Sequence, residues 1–401
     1  MKHTNQQRVA FERWIEPFCA AFRHKAQRQW APVYVRGLLA PGDRKSVEPL
    51  ASRVAPEDVQ QLHHFVSTST WDTAPLEEVL LDKADRLVGG EDAHLIIDDT
   101  GIPKKGEHSV GVAHQYCGAL GKQANSQCLV SVTLSRNEVP VPIALRLYLP
   151  ESWSRDAKRR ASARVPEEVV FRSKPQIALD EVRRIRAAGV RFGDVLADAG
   201  YGMSVEFRHA LTDMGLKWAV GVMPHQLVYA SDVEVRPPPK RKPGRRGATK
   251  KWGTPTEPRQ SAADIFEQLG ARAFRRVSWR LGTKGKLTAR FAALRIRPAD
   301  GDDIGDHVRL PTDETWLVCE LRSNGDRKYY LSNYSADTSL KKLAAVIKAR
   351  WSCEQAHQQL KEELGLDHFE GRSWHGLHHH ALMTQIAFAF LQHTRVRENK
   401  A

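Results

Sequence analysis

Cysteine is scarce in this chain, long apolar runs are missing, and acids are outnumbered by bases. The five cysteines, Cys19, Cys117, Cys128, Cys319 and Cys353, stand far apart with no Cys-x-x-Cys pair. That spacing excludes a zinc knuckle or a disulfide framework and leaves reduced, partly buried thiols. No stretch of eighteen apolar residues occurs, and the first residues carry no signal-peptide core. The expectation is therefore no membrane contact and a place in the cytosol. Asp plus Glu number 47 against 61 Lys plus Arg, a formal net charge of +14. A chain this basic is a candidate for a polyanionic partner, nucleic acid first. Hydrophobic residues at 41% and charged residues at 27% exclude wholesale disorder. A length of 401 residues allows two or three domains, or one large domain carrying an insertion.

The stretch Leu95-Ile96-Ile97-Asp98-Asp99-Thr100 reads as a buried strand whose end presents carboxylates to a cleft. Two adjacent anions are costly unless they hold a cation or accept hydrogen bonds, and hard divalent ions take carboxylate oxygens. The same residues also suit a solvated turn. Ahead of this strand, residues 6–85 read as helical. Val9, Trp14, Ile15, Phe18 and Phe22 form a stripe, Pro32 and Gly37 interrupt, and residues 47–54 and 56–66 make two short helices. Arg36, Arg44, Lys45 and Arg53 there either face phosphates or are solvated.

After the strand comes a glycine-rich basic segment with Lys104 and Lys105 that matches neither a Walker loop nor a dinucleotide fingerprint. Strands at 128–135 and 141–149 and a helix at 174–188 follow. Residues 193–198 then repeat the opening pattern, a short apolar strand ending on Asp198 before Ala199-Gly200-Tyr201-Gly202. A helix at 205–214 and a strand at 217–222 complete this part.

Between Val235 and Glu257 there is no acid, while Arg236, Arg241, Lys242, Arg245, Arg246 and further lysines crowd among prolines and glycines. No core forms from such a run; it is either a solvated loop or an arm that tracks a phosphate backbone. Strands are expected at 273–280 and 286–297, forming an inserted β region, and at 315–321 and 328–332, rejoining the main sheet. A long helix is expected at 337–364, stopped by Gly365. On it Leu343, Val346, Arg350, Glu354, His357, Lys361 and Leu364 share one stripe, and its apolar ends mark that stripe as inward-facing. A buried helix at 374–394 closes the chain. His375, His378, His379 and His380 read as its polar start rather than as metal ligands.

Three acids thus stand on a strand, a strand and a helix, and carboxylates from separate elements are what a two-metal phosphoryl-transfer site needs, its ions about 3.5 to 4 Å apart. The order Asp98, Asp198, Glu354 resembles the DDE transposases with a ribonuclease-H-like fold. Arg350-x-x-x-Glu354 followed by Lys361 is similar to the Tyr-Arg-Glu-Lys signature of the insertion-sequence-4 superfamily, although the tyrosine position is Ile347. Ile97-Asp98-Asp99-Thr100-Gly101, Leu147-Tyr148-Leu149-Pro150-Glu151-Ser152-Trp153 and Ala197-Asp198-Ala199-Gly200-Tyr201-Gly202 resemble the insertion-sequence-701 transposases.

The resemblance implies a ribonuclease-H-like mixed α/β sheet flanked by helices, with an N-terminal helical domain and a β-rich insertion. The boundaries expected are 1–90 for a helical, DNA-binding domain, 91–222 and 326–395 for the two parts of the catalytic domain, and 223–325 for the insertion, with its basic loop at 236–251. It also implies that Asp98, or its neighbour Asp99, acts with Asp198 and Glu354 to hold two Mg2+ ions, which Mn2+ can replace. Arg350, Lys361, Lys104, Lys105, Arg241, Lys242, Arg245 and Arg246 would bind DNA phosphates. The implied partners are double-stranded DNA, as transposon terminal inverted repeats and target, and a second copy of the chain. The implied setting is the bacterial nucleoid. Two alternatives remain open at this point: a catalytically silent DNA-binding protein, and a nuclease that cuts without joining.

Overall fold

The computed structural model describes residues 2–238, 251–282, 285–305 and 308–398. The chain divides into two units, residues 1–193 with 351–401, and residues 194–350. None of the described helices is long and apolar enough to cross a membrane.

The first unit begins with helices α1 (Lys2–Ala21), α2 (Lys25–Leu39), α3 (Val47–Val54), α4 (Val59–His63) and α5 (Ala74–Val88). Phe18, Tyr34, Leu38, Leu50 and Leu80 from these helices are fully buried, so this region gains its stability from amphipathic packing. Contrary to the sequence expectation, α2 runs unbroken through Pro32 and Gly37. Gly37 is a contact point: a Cβ there would lie 2.3 Å from Leu50 Cδ2, so only glycine lets α3 approach this closely. Lys45 is buried rather than turned to phosphates. Its ammonium donates to Leu38 O at 2.8 Å and to Ala40 O, satisfying carbonyls at the end of α2.

Strands β1 (His94–Pro103), β2 (Ala113–Cys117), β3 (Lys122–Arg136) and β4 (Val139–Leu147) form an antiparallel set in which β3 pairs with the other three. The turn between β3 and β4 places Asn137 and Glu138 at φ of 51° and 63°, the left-handed geometry that tight hairpins require. Short helices α6 (Glu151–Ser154) and α7 (Ala157–Ser162) and the longer α8 (Lys174–Ala187) follow. In α8, Ser173 caps the start and Gln176 returns the hydrogen bond.

The second unit starts with β5 (Asp194–Ala197), α9 (Ala199–Gly202), α10 (Val205–Asp213) and β6 (Lys217–Val222), with β5 parallel to β6. An antiparallel set followed by a helix and a parallel pair makes a mixed α/β arrangement of strands flanked by helices. Next come β7 (Leu227–Ala230), β8 (Val235–Arg236), β9 (Thr254–Pro255), β10 (Gln260–Ser261) and α11 (Ala262–Leu269). Strands β11 (Arg275–Gly282), β12 (Gly285–Pro298), β13 (Thr315–Leu321) and β14 (Arg327–Ser332) then run antiparallel in sequence, and β14 pairs with β6. The last two strands thus return to the β5–β6 sheet, as expected.

The long helix expected at 337–364 is two helices, α12 (Leu340–Ala349) and α13 (Trp351–Glu362), separated at Arg350. The first belongs to the second unit and the other to the first unit. Ser339 caps the start, and Gly365 at φ 70° ends the run as expected. Helix α14 (Trp374–Glu398) closes the first unit. Its histidines are not a polar start. His379 and His380 are buried; His379 stacks on Trp71 with centroids 3.6 Å apart, and His380 Nδ1 meets the Tyr34 hydroxyl at 2.8 Å. Burial pushes His378, His379 and His380 down to about 4, so they are neutral near pH 7.

A charged knot ties α5, β4 and α8 together. Arg146 donates to Glu77 Oε1 at 2.7 Å and to Glu181 Oε1 at 2.8 Å, and Arg184 lies 3.4 Å from Glu77 Oε2. Burial would raise the Glu77 carboxyl, but hydrogen bonds from Arg146 and the charges of Arg146 and Arg184 outweigh it and hold the group at about 2, against an ordinary 4.5. A folded-state value below the unfolded one means stability that is complete above about pH 4.5 and lost as pH falls toward 2, about 3 kcal/mol in all. Glu77→Gln is expected to flatten this acid limb and to cost about 3 kcal/mol at neutral pH. Urea unfolding across pH 2 to 7 checks it, and an acid limb identical to wild type would contradict the assignment.

Candidate active site

Strand β1 places its two aspartates on opposite faces because side chains alternate along a strand. Its register with β3 sets Asp98 opposite Ser131 and Asp99 opposite Val130. Asp98 therefore shares a face with Ser131 and Thr133, and helix α13 packs on that face. Ser352 Oγ donates to Ser135 Oγ at 2.9 Å, Cys353 Sγ lies 3.5 Å from Thr133 Oγ1, and His357 Nε2 lies 2.7 Å from Ser131 Oγ. A carboxylate oxygen of Asp98, Cys353 Sγ and a ring nitrogen of His357 all fall within 4.8 Å of one another.

Asp99 points the other way, to α8. Its Oδ2 accepts from Lys174 Nζ at 2.5 Å, and both side chains are about 30% exposed. Beside this pair, burial and then the Asp99 charge push the Cys128 thiol up to about 12. The two acids that the sequence leaves as alternatives are thus unlike: one faces α13, the other is half of an ion pair.

Glu354 lies on α13 directly after Cys353 and is exposed. The buried residues of α13 are Ser352, Cys353, Ala356, His357 and Leu360, of which Ser352, Cys353 and His357 meet β3. The inward stripe expected from the sequence is therefore displaced: His357 is buried, Lys361 is half-buried, and Glu354 stands at the surface. Lys361 and Lys104 both feel the charge of Asp367, and Lys104 Nζ donates to Phe369 O at 2.6 Å. Burial pulls both ammoniums below their ordinary range. Lys105 is exposed.

In the second unit, Asp198 follows β5 and caps α9, accepting from Gly200 N at 2.9 Å and Tyr201 N at 3.4 Å. The Gly-Tyr-Gly that follows has a steric cause. A Cβ at Gly202 would lie 1.9 Å from Gly221 O, so α9 rests on the backbone of β6. Arg350, at the end of α12, lies near enough to Tyr330 for its charge to act on that phenol. Arg241, Lys242, Arg245 and Arg246 lie outside the described residues.

The family model described as DDE superfamily endonuclease matches residues 17–286. The chain belongs to the DDE superfamily endonucleases. Both Asp98 and Asp198 of this DDE endonuclease stand inside the matched span, and Glu354 lies beyond it. The chain is 31% identical over 193 residues to the probable transposase for insertion sequence element IS701 of Microchaete diplosiphon, a match covering 48% of each chain. It spans about half the length of that curated relative. A cryo-EM structure of the piggyBac transposase synaptic complex with hairpin DNA aligns at a TM-score of 0.45 and 11% identity, covering 98% of this chain and 76% of that one.

Sequence reasoning does not single out Cys353, Ser131 or Thr133 around Asp98. The signal that could find Cys353 is its four-residue spacing from His357, which puts both on one helical face; Ser131 and Thr133 carry no such signal. The split roles of the two aspartates are testable. Asp99→Asn is expected to lower stability by about 1 to 3 kcal/mol, since it leaves a half-buried Lys174 without its counter-charge, whereas Asp98→Asn leaves that pair intact. Thermal unfolding of the two variants side by side checks this, and equal midpoints would argue against it.

Proposed function

We propose that this endonuclease is a DNA transposase, cutting transposon ends and joining the 3′ hydroxyl to target DNA. The observation that carries the reading is the orientation of Asp98: one of two aspartates inside the matched span, it is turned toward α13, the helix that bears Glu354. In this reading Asp98, Asp198 and Glu354 are the acids that act on the phosphodiester. Their carboxylate oxygens are the hard donors that magnesium takes, with manganese as a substitute, so the donor set fits divalent ions. When bound, two such ions supply an activated attacking oxygen and stabilise the leaving oxygen.

The remaining groups bind and orient DNA. Arg350, Lys361, Lys104 and Lys105 hold phosphates near the scissile bond, where fixed positive charge stabilises the transition state. A phosphate beside Lys361 or Lys104 offsets the burial that depresses these ammoniums. Arg241, Lys242, Arg245 and Arg246 belong to the basic stretch that contacts the backbone of double-stranded DNA. The substrates on this reading are terminal inverted repeats and target DNA. Two ends cut together call for a homodimer on DNA, in the bacterial nucleoid.

The deciding experiment is magnesium-dependent cleavage of DNA carrying the element's own flanking repeats. Glu354→Gln and Asp198→Asn are each expected to lose roughly two orders of magnitude or more in cleavage while binding DNA nearly as wild type. Full activity in the double variant would overturn the site. Cut ends that are never joined to a second duplex would make the chain a nuclease, and binding without cutting by wild type would make it a silent DNA-binding protein.

The basic stretch has a separate test. Neutralising Arg241, Lys242, Arg245 and Arg246 is expected to weaken binding evenly across sequences and to reduce the slope of log affinity against log salt by about 0.9 for each phosphate no longer neutralised. An unchanged slope would remove the arm from the interface.

A further inference from the structure

The magnesium reading uses only carboxylates, yet Asp98 also keeps company with softer donors. Its carboxylate oxygen, Cys353 Sγ and a ring nitrogen of His357 lie within 4.8 Å of one another, and all three residues belong to the first unit. Cysteine and histidine do not serve magnesium; thiolate and imidazole select zinc and its thiophilic neighbours. The sulfur-to-nitrogen spacing has the size such an ion needs. A tetrahedral zinc with bonds of about 2.3 Å to sulfur and 2.0 to 2.1 Å to nitrogen separates those two atoms by about 3.6 Å. Cys353 Sγ and His357 Nε2 are 3.5 Å apart.

The surroundings suit a thiolate as well. Thr133 Oγ1 lies 3.5 Å from Cys353 Sγ, placed to donate to a sulfur anion, while Ser131 Oγ, 3.9 Å from that sulfur, donates to Asp98 O at 3.1 Å. Both hydroxyls are fixed by the register of β3 against β1, and the two soft donors come from one buried face of α13. Three protein ligands with a fourth position left to water is the arrangement of an open zinc site.

We propose that Asp98, Cys353 and His357 form a binding site for a thiophilic divalent cation of the zinc type, distinct in donor chemistry from the magnesium site but sharing Asp98 with it. Entry of the ion removes the Cys353 thiol proton and takes His357 Nε2 from its contact with Ser131. Because Asp98 cannot serve both sites fully, the ion acts as an inhibitor. That consequence rests on the transposase reading; the binding itself does not.

The test is a titration of the metal-free full-length protein with cobalt(II) chloride, followed by absorbance. A thiolate-to-cobalt charge-transfer band rising to one equivalent and erased by zinc is expected, with no such band displaced by magnesium. Cys353→Ser is expected to abolish the band, His357→Gln to weaken cobalt affinity at least about tenfold, and Cys128→Ser to leave it unchanged. Thermal unfolding of each variant without metal checks that the fold is retained, and calorimetry of wild type with zinc gives the stoichiometry independently of any variant. No charge-transfer band in wild type, or a band that survives Cys353→Ser, overturns the site. In cleavage assays zinc inhibition is expected to need at least about tenfold more zinc in Cys353→Ser; failure of cleavage altogether would count against the transposase reading and leave the cobalt result standing.

Discussion

The alternation of side chains along β1, locked by its ten-residue register with β3, is the constraint on which the site depends. Two adjacent aspartates cannot both face the same helix, so one register decides that Asp98 meets α13 and Asp99 meets Lys174. A slip of one residue would exchange them. Leu95, Ile96 and Ile97, all fully buried, and Leu129, Val130 and Val132 on β3 bury both faces of this strand pair. Core packing and site chemistry are therefore set by the same pairing.

On the helix side, the constraint is the polar seam between α13 and β3. Ser352, Cys353 and His357 meet Ser131, Thr133 and Ser135, alternate residues of one strand face. Such a seam is unusual in a buried contact, because each polar group must find a partner or cost about 1 to 3 kcal/mol. Here hydroxyl, thiol and imidazole satisfy one another, which fixes the rotation of α13 and with it the exposed position of Glu354. The matched span contains Asp98 and Asp198, and the seam packs the helix that carries Glu354 onto the strand face that Asp98 shares.

Much of this is legible in the sequence, and the reasons differ by element. Short strands are plain where apolar runs and glycine punctuation agree, as at Asp194–Ala197 and Lys217–Val222. Helix α3 shows its bounds, since the apolar spacing marks them. Helix α2 defies its local pattern: Pro32 and Gly37 lower helix propensity, but packing of α2 on α3 overrides them, and Gly37 is needed there for the approach of Leu50. The α12–α13 break is hidden because the three-and-four spacing continues through Arg350 although the backbone does not. The histidines of α14 look polar by residue type; a stack on Trp71 and a hydroxyl from Tyr34, 300 or more residues distant in sequence, make them core. The two faces of Asp98-Asp99 depend on register, which no local pattern fixes.

The contact of Gly202 with Gly221 bears on how the corner around Asp198 can evolve. Between α9 and β6 there is backbone on backbone, so nothing at that junction can be repacked by exchanging one side chain for another. The carboxylate of Asp198, held by the amides of the same turn, is mounted on a rigid fitting. Surrounding side chains can change charge or size without displacing this carboxylate, whereas one added methyl at position 202 must move the whole turn. The second unit can thus diversify its strands and loops while this corner stays dimensionally fixed.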